Sequence, residues 1–374
     1  MKDILFFCES LGFGGAEKSL YTLLKHINKS LYNITVVCVS DGGYYSSLVR
    51  KIADINYEYI LSSHDSFFNR LKAFLIYRIL PPRITYKLLV HHRFDTEIAF
   101  CEGFSTKVIG STSNNVKKIA WVHTDLQNND WPVDIGIFKS KKKEVECYNK
   151  FNNVVGVSKS VCDGLIKKKI KSNVNCIYNL IDKNDIILKA NQEPVITLDK
   201  NEFNIVSIGR LEYVKGYDRL INAFAKLLEN RMDSNIKLTI VGGGSELQNL
   251  KAITRDLKIE QFVNFTGAQE NPYSILRQAD LYVCPSRNEG FNIAIVEAFI
   301  LGKPVVSTSC CGPEELLEHN KYGLLCENSE EGIRNLLDIV VNNKKLLMDL
   351  QQKSLERGKS FKMDYTLDRI MQLL

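Results

Sequence analysis

The stretch Phe203-Asn204-Ile205-Val206-Ser207-Ile208-Gly209-Arg210-Leu211-Glu212-Tyr213-Val214-Lys215-Gly216 decides how the whole chain is read. Its first six residues are a short, mostly apolar, β-branched run that stops at a glycine. A helical stretch follows from Gly216 to about residue 229. Strand, glycine turn and helix in that order form the repeating unit of an α/β protein.

The same unit recurs on both sides. Downstream, residues 237–241, 262–265, 281–284 and 304–307 are predicted strands, with helices at about 245–257, 272–278 and 292–301. Upstream, 4–8, 34–39, 97–100, 118–122 and 154–157 are predicted strands, and the glycine-rich turn after the first leads into a helix at about 16–27. Apolar strands separated by helices imply parallel sheets covered on both faces. The fold class is therefore α/β, in two similar halves. Residues 180–200 are polar and read as the linker, and helical stretches at about 330–341 and 346–374 close the chain.

Composition agrees with two domains. The 374 residues are 45% hydrophobic, and single cores stop growing near ~250–300 residues. With 25% charged residues, 10% aromatic and 8 Pro, disordered and collagen-like classes are excluded. The ten Cys include no C-x-x-C pair and mostly sit in apolar runs, so they read as small buried hydrophobes in a reducing compartment. No apolar run reaches the ~18 residues of a membrane span. Glu9 and Lys18 interrupt the apolar start, which reads as a first strand and not as a signal peptide. Charge is uneven. Residues 1–185 carry 26 Lys and Arg against 18 Asp and Glu, and the remainder carries 23 against 25. The basic half suits an anionic surface.

Ligands of parallel sheets bind beyond the carboxyl ends of strands, so the motifs there carry most weight. Gly14 and Gly15, in Leu11-Gly12-Phe13-Gly14-Gly15-Ala16-Glu17, permit close approach of backbone N–H groups to an anion at a helix start; a tight turn explains them equally well. Arg210 and Lys215 flank a strand end, where a bidentate fork and a point charge can converge on one phosphate; the plainer reading is two solvated cations. In Ser286-Arg287-Asn288-Glu289-Gly290-Phe291-Asn292-Ile293-Ala294-Ile295-Val296-Glu297, Asn292 is a candidate N-cap, Glu289 precedes the helix and Glu297 lies within it. Two carboxylates so spaced suit different hydroxyls of an elongated ligand, with free N–H groups of residues 290–292 for an anion between them. Alternatively, Glu289 is a first-turn dipole partner and Glu297 a surface or paired residue. His123 ends an apolar strand; a lone His is more often structural than catalytic. No Asp-x-Asp, Gly-x-Ser-x-Gly or His-Glu-x-x-His occurs. No metal site is expected, and a departing diphosphate would depend on Arg210, Lys215 and a helix N-terminus.

Gly14-Gly15-Ala16-Glu17, Gly209-Arg210-Leu211 with Lys215-Gly216, and Glu289 with Glu297 in an E-x7-E frame together resemble the retaining glycosyltransferases of family 4. The run from Cys284 to Ala298 and Gly302-Lys303-Pro304-Val305-Val306 is similar to their C-terminal motif, and Tyr178-Asn179-Leu180-Ile181-Asp182 to their interdomain junction. The resemblance implies the GT-B fold, two Rossmann-like domains facing each other across a cleft. It implies an acceptor-binding domain at 1–183, a nucleotide-sugar domain at 184–355 and a final helix at 356–374 crossing back to the first. It assigns Arg210 and Lys215 to the donor diphosphate and Glu297 to the ribose. Glu289, with the backbone of Gly290, Phe291 and Asn292, would position the donor sugar. Gly14 and Gly15 would close over the phosphates, and His123 would sit by the transferred sugar. Glu289, His123, Arg210 and Lys215 are the catalytic candidates. Asn292 departs from the small residues or Pro frequent there, and Ser309-Cys310-Cys311-Gly312-Pro313-Glu314 lacks an Asp and one Gly of a related motif. That motif is frequent in bacterial surface-polysaccharide enzymes, including those of capsules, which use UDP-sugars.

Residues 66–94 contain Arg70, Lys72, Arg78, Arg83, Lys87 and Arg93, no acid, and interleaved aromatic and aliphatic residues. That composition suits an interfacial segment on anionic lipid; two ordinary core-facing helices explain it nearly as well. The expectation is a hexosyltransferase, cytoplasmic and peripheral on the inner face of the plasma membrane. It would use a UDP-sugar donor, no cofactor and a lipid-linked glycan acceptor, with no nucleic-acid partner. The alternatives are another GT-B enzyme such as an epimerase or phosphorylase, or a non-catalytic binder of nucleotide sugar or nucleic acid.

Overall fold

Thirteen strands form two parallel sheets in the computed structural model, which describes residues 1–62, 66–112, 115–229, 235–341 and 343–374. The first sheet contains Lys2–Cys8 (β1), Tyr32–Ser40 (β2), Ile55–Leu61 (β3), Thr96–Ala99 (β4), Lys117–Val122 (β5), Asn153–Gly156 (β6) and Asn173–Cys176 (β7). The second contains Phe203–Ile208 (β8), Ile236–Val241 (β9), Val263–Phe265 (β10), Leu281–Cys284 (β11), Val305–Thr308 (β12) and Leu324–Cys326 (β13). Their orders are β3-β2-β1-β4-β5-β6-β7 and β10-β9-β8-β11-β12-β13. Both sheets are doubly wound. In each, the order reverses beside the first strand, between β1 and β4 and between β8 and β11. Loops leaving such neighbours diverge and open a crevice at the carboxyl ends.

Burial explains which strands the pattern reveals. Ile4, Leu5, Phe6 and Phe7 of β1 are fully buried because helices cover both faces. Three strands escape the sequence reading: β3, β7 and β13, all at sheet edges. Edge strands need only part of their surface apolar and are kept short or polar; β7 reads Asn-Val-Asn-Cys.

The chain forms two compact units. One holds Met1–Leu180 and Asp364–Leu374, the other Ile181–Met363. The polar stretch expected as a linker contains a helix, Lys183–Ala190. The Asp182 side chain caps it, accepting from the Asp185 N–H at 3.0 Å, and Ile186 and Ala190 are buried. Asn271 donates to the Lys189 carbonyl at 2.8 Å, so this helix belongs to the second unit. The closing stretch is two helices, Lys344–Ser360 and Met363–Leu373, separated at Phe361 by extended backbone. The first docks on the helix Ile293–Ile300: a Cβ on Gly358 would lie 2.8 Å from the Phe299 carbonyl oxygen. The second belongs to the first unit, where the Leu374 carbonyl accepts from Lys2 and Thr96, both at 3.3 Å.

The basic segment divides. Pro82–Leu89 buries Thr85, Tyr86 and Leu89, as an ordinary amphipathic helix does. Phe67–Phe74 buries nothing, and Phe67 and Phe68 are 75% and 73% exposed. It continues into a π-helical turn, Leu75–Ile79. Among the described residues no helix is long and apolar enough to cross a membrane.

Candidate active site

In the second unit, two glycine loops interlock at the ends of β8 and β9. The Leu211 N–H donates to the Gly243 carbonyl and the Glu246 N–H to the Leu211 carbonyl, both at 2.9 Å. Gly242 has φ +153°, and a Cβ there would lie 1.9 Å from the Gly209 carbonyl oxygen. A Cβ on Gly244 would lie 2.4 Å from that of Leu211. Both positions require glycine. The sequence reading missed this run, although three glycines directly after a predicted strand are a visible signal.

Lys215 closes a 3₁₀ turn, Tyr213–Lys215, that ends on Gly216 at φ +69°. There a Cβ would lie 2.2 Å from the Pro285 carbonyl oxygen, so the loop after β8 rests on the loop after β11. Arg287 fastens the two. It donates to both Asp218 carboxylate oxygens at 2.8 and 2.7 Å and to the Tyr213 carbonyl at 2.7 Å, with its guanidinium 3.9 Å from the Tyr213 ring centre. Burial pushes the Asp218 carboxyl up, but the Arg287 hydrogen bonds outweigh it and hold the group below the usual range.

The fastened loops bring four side chains together. Glu289 is 8% exposed, and its Oε1 accepts from Lys215 Nζ at 2.5 Å, Ser286 Oγ at 2.8 Å and Asn292 Nδ2 at 3.0 Å. Ser286 is anchored in turn, its carbonyl accepting from Thr308 Oγ1 at 2.6 Å. Asn292 is the N-cap of Ile293–Ile300, accepting from the Ile295 N–H at 3.1 Å. The Gly312 N–H donates to the Glu289 carbonyl at 3.0 Å, which sets a second helix, Cys311–Leu317, against Gly290 and Phe291. Glu297 is buried within Ile293–Ile300 and accepts from the Tyr273 hydroxyl at 3.3 Å. Arg210 is exposed and forms no ion pair among the described residues. The unit thus offers a held carboxylate, a lysine, a free guanidinium and a helix N-terminus, the set needed to bind a polyhydroxylated phosphate ester.

In the first unit, His123 follows β5. Its backbone N–H donates to Glu102 Oε2 at 2.8 Å, and its Nε2 lies 2.9 Å from the Phe100 carbonyl oxygen. A carbonyl only accepts, so Nε2 carries the hydrogen and Nδ1 is the lone-pair atom. That Nδ1 is enclosed without a hydrogen-bond partner among the described residues. Burial holds the imidazole below its usual pKa against the pull of Glu102, so it is neutral near pH 7. Thr124 donates to Glu102 Oε1 at 2.8 Å. Gly14 has extended backbone, and a Cβ there would lie 2.1 Å from Glu17 Oε2; Gly15 begins the helix Gly15–His26. Glu9, which the sequence reading used only as a break in an apolar run, directly follows β1 and has its carboxyl pushed up to about 7 by burial and by Glu102, against a hydrogen bond from the Phe104 N–H.

Residues 189–357 match the family of glycosyl transferases group 1. That match spans a little under half of the chain. An uncharacterized glycosyltransferase of Haemophilus influenzae is 34% identical over 50% of this chain and 54% of its own, so the match spans about half of that relative. Campylobacter jejuni N-acetylgalactosamine-N,N'-diacetylbacillosaminyl-diphospho-undecaprenol 4-alpha-N-acetylgalactosaminyltransferase is 26% identical across the whole of both chains. Anabaena HepE, solved with UDP and glucose, superposes with a TM-score of 0.76 over all of this chain and 99% of its own at 20% identity, a likeness of fold. The two doubly wound units of this chain are the GT-B fold. Of the expected site residues, Lys215, Glu289 and Asn292 meet directly in the second unit. Glu297 lies on the helix they precede, and Gly14, Gly15 and His123 lie in the first unit.

Proposed function

We propose that this chain is a retaining, metal-independent family 4 enzyme that moves a hexose or N-acetylhexosamine from a UDP-sugar to a lipid-linked or polysaccharide acceptor in bacterial surface glycan assembly. The observation that carries this reading is the convergence of Lys215, Ser286 and Asn292 on one oxygen of Glu289, at the point where the second sheet reverses its strand order. Here Glu289 orients hydroxyls of the donor sugar. Arg210 and Lys215, aided by the N-terminus of Ile293–Ile300, take up the negative charge that develops on the departing diphosphate. Glu297 holds the ribose. The leaving phosphate assists removal of the acceptor proton, so the chain contributes position and charge.

The UDP and glucose bound by Anabaena HepE and the undecaprenol-linked substrate named for the Campylobacter relative support the donor and acceptor classes. The exposed, basic Phe67–Phe74 helix supports work at an anionic membrane surface, on its cytoplasmic face.

The test is release of UDP or GDP from a panel of nucleotide sugars with EDTA present, for wild type and Glu289→Ala. Slow hydrolysis of one donor, lost in the variant, is the expected result and names the sugar. No turnover and no binding of any nucleotide sugar would overturn the reading in favour of a binding role.

A further inference from the structure

Glu289 holds its carboxylate in one orientation by loading a single oxygen. Oε1 takes three donors, while Oε2 has no hydrogen bond among the described residues. Asn292 is the member of this cluster whose geometry is most constrained. Its Oδ1 accepts from the Ile295 N–H, and its Nδ2 donates to Glu289 Oε1 at 3.0 Å and to Cys284 Sγ at 3.2 Å. Both amide hydrogens and the carbonyl are used. Flipping the amide would set its oxygen against the carboxylate and its NH₂ against the Ile295 N–H, so only one orientation satisfies both neighbours. The residue is 7% exposed, so water does not substitute readily for these partners.

We propose that Asn292 is a positioning residue that, with Ser286, locks Glu289 so that Oε2 alone faces the donor sugar, restricting the donor to sugars that present a hydroxyl or amide N–H at that point. This rests on the nucleotide-sugar reading above and deepens it. A carboxylate paired with a lysine is acceptor-only, so it takes hydrogens from hydroxyls or amides and repels another acceptor. A uronate carboxylate or a fully substituted oxygen facing Oε2 is therefore excluded. Helix capping and carboxylate positioning are separate tasks of the one side chain. Oδ1 does the first and Nδ2 the second.

Two substitutions separate them. Ser and Asp are both good N-caps, yet neither offers the amide donor. Asn292→Ser removes the donor without adding charge, and Asn292→Asp places an acceptor beside Glu289. Thermal unfolding, UDP affinity by calorimetry, and kcat and KM for donor hydrolysis are measured for each. The donor panel includes a UDP-hexose and its uronate. Expected for Asn292→Ser are an unchanged melting temperature, UDP affinity within about twofold, and a kcat lower by on the order of 10–100-fold. Asn292→Asp falls at least as far, and wild type rejects the uronate. Wild-type kcat in Asn292→Ser overturns the proposal while leaving the nucleotide-sugar reading intact. So does loss of kcat only in step with loss of folding or of UDP affinity, which would mark Asn292 as a cap alone. Failure of wild type to bind UDP or any UDP-sugar overturns the underlying reading instead.

Discussion

Lys215 Nζ lies 2.5 Å from Glu289 Oε1, although 74 positions separate the two in the chain. One is the last residue of a 3₁₀ turn after β8 and the other sits in the loop after β11. The pair therefore reports that the two loops are correctly docked, and it supplies the cation of the candidate site. The two roles separate by experiment, because Arg210 is exposed and forms no ion pair among the described residues, where Lys215 is mostly buried and paired.

Lys215→Met leaves a nearly buried carboxylate with two neutral donors and no cation. The expected cost is about 1–3 kcal/mol of stability, less than for a fully buried pair because Lys215 keeps some contact with water. Arg210→Ala is expected to stay within about 0.5 kcal/mol of wild type. Both are expected to weaken UDP binding. Denaturant unfolding paired with calorimetry checks this. Equal stability losses in the two variants would contradict the geometry.

Gly216→Ala adds a Cβ at φ +69°, 2.2 Å from the Pro285 carbonyl oxygen. Neither backbone segment can yield without breaking the Arg287 fastening. The expected loss is on the order of 2–4 kcal/mol, with donor turnover lost together with stability. Gly267→Ala is the control: it also has positive φ, but nothing lies within 4 Å of its Cβ position. It should show the cost of backbone strain alone, about 1 kcal/mol. Equal losses at the two positions would refute the packing argument.

Glu9 gives the first unit a pH dependence of stability. Its folded pKa is raised to about 7, from an ordinary value of 4.5, because burial and Glu102 disfavour the charge. The unfolded chain therefore releases this proton first as pH rises. Stability contributed by Glu9 is present in full below about pH 4.5 and is lost as pH climbs through 7, by roughly 2–3 kcal/mol. Glu9→Gln keeps an acceptor for the Phe104 N–H and removes the titration. Its unfolding free energy should decline less than that of wild type between pH 4.5 and 7.5. Parallel curves for the two proteins would show that Glu9 ionises normally.

Phe67–Phe74 offers Phe67, Phe68, Leu71 and Phe74 to solvent beside Arg70 and Lys72. Wild type should float with vesicles containing phosphatidylglycerol and not with pure phosphatidylcholine, and salt should release it. Replacing Arg70 and Lys72 by Glu should weaken binding by at least ~1 kcal/mol per base. Phe67→Ser with Phe68→Ser should weaken it at all salt concentrations. Binding that ignores lipid charge would count against this surface.

Much of the fold is legible in the chain. Strands such as β1 and β8 lie in the middle of their sheets, so both faces are apolar and the run is continuous. The edge strands β3 and β7 mix polar residues into their runs, and β13, Leu-Leu-Cys, is only three residues long. The helix Lys183–Ala190 was hidden for a related reason. It buries little beyond Ile186 and Ala190, so Asn, Asp and Lys dominate its surface and mimic a linker. In the site, Asn292 was readable as a cap because capping is a contact between residues three apart. Glycines at 242–244 were readable too and were overlooked.

The sequence by itself determined the two α/β halves, the central strands, the glycine turns and the Asn292 cap, because periodicity, capping and turn chemistry act over a few residues. Tertiary structure alone decided that Lys215 pairs with Glu289, that Oε1 is the loaded oxygen, that burial raises the Glu9 carboxyl, and that residues 364–374 return to the first unit. Each of these depends on burial and on contacts between residues distant in the chain, and their energies arise only once the sheets have brought those groups out of water and against one another.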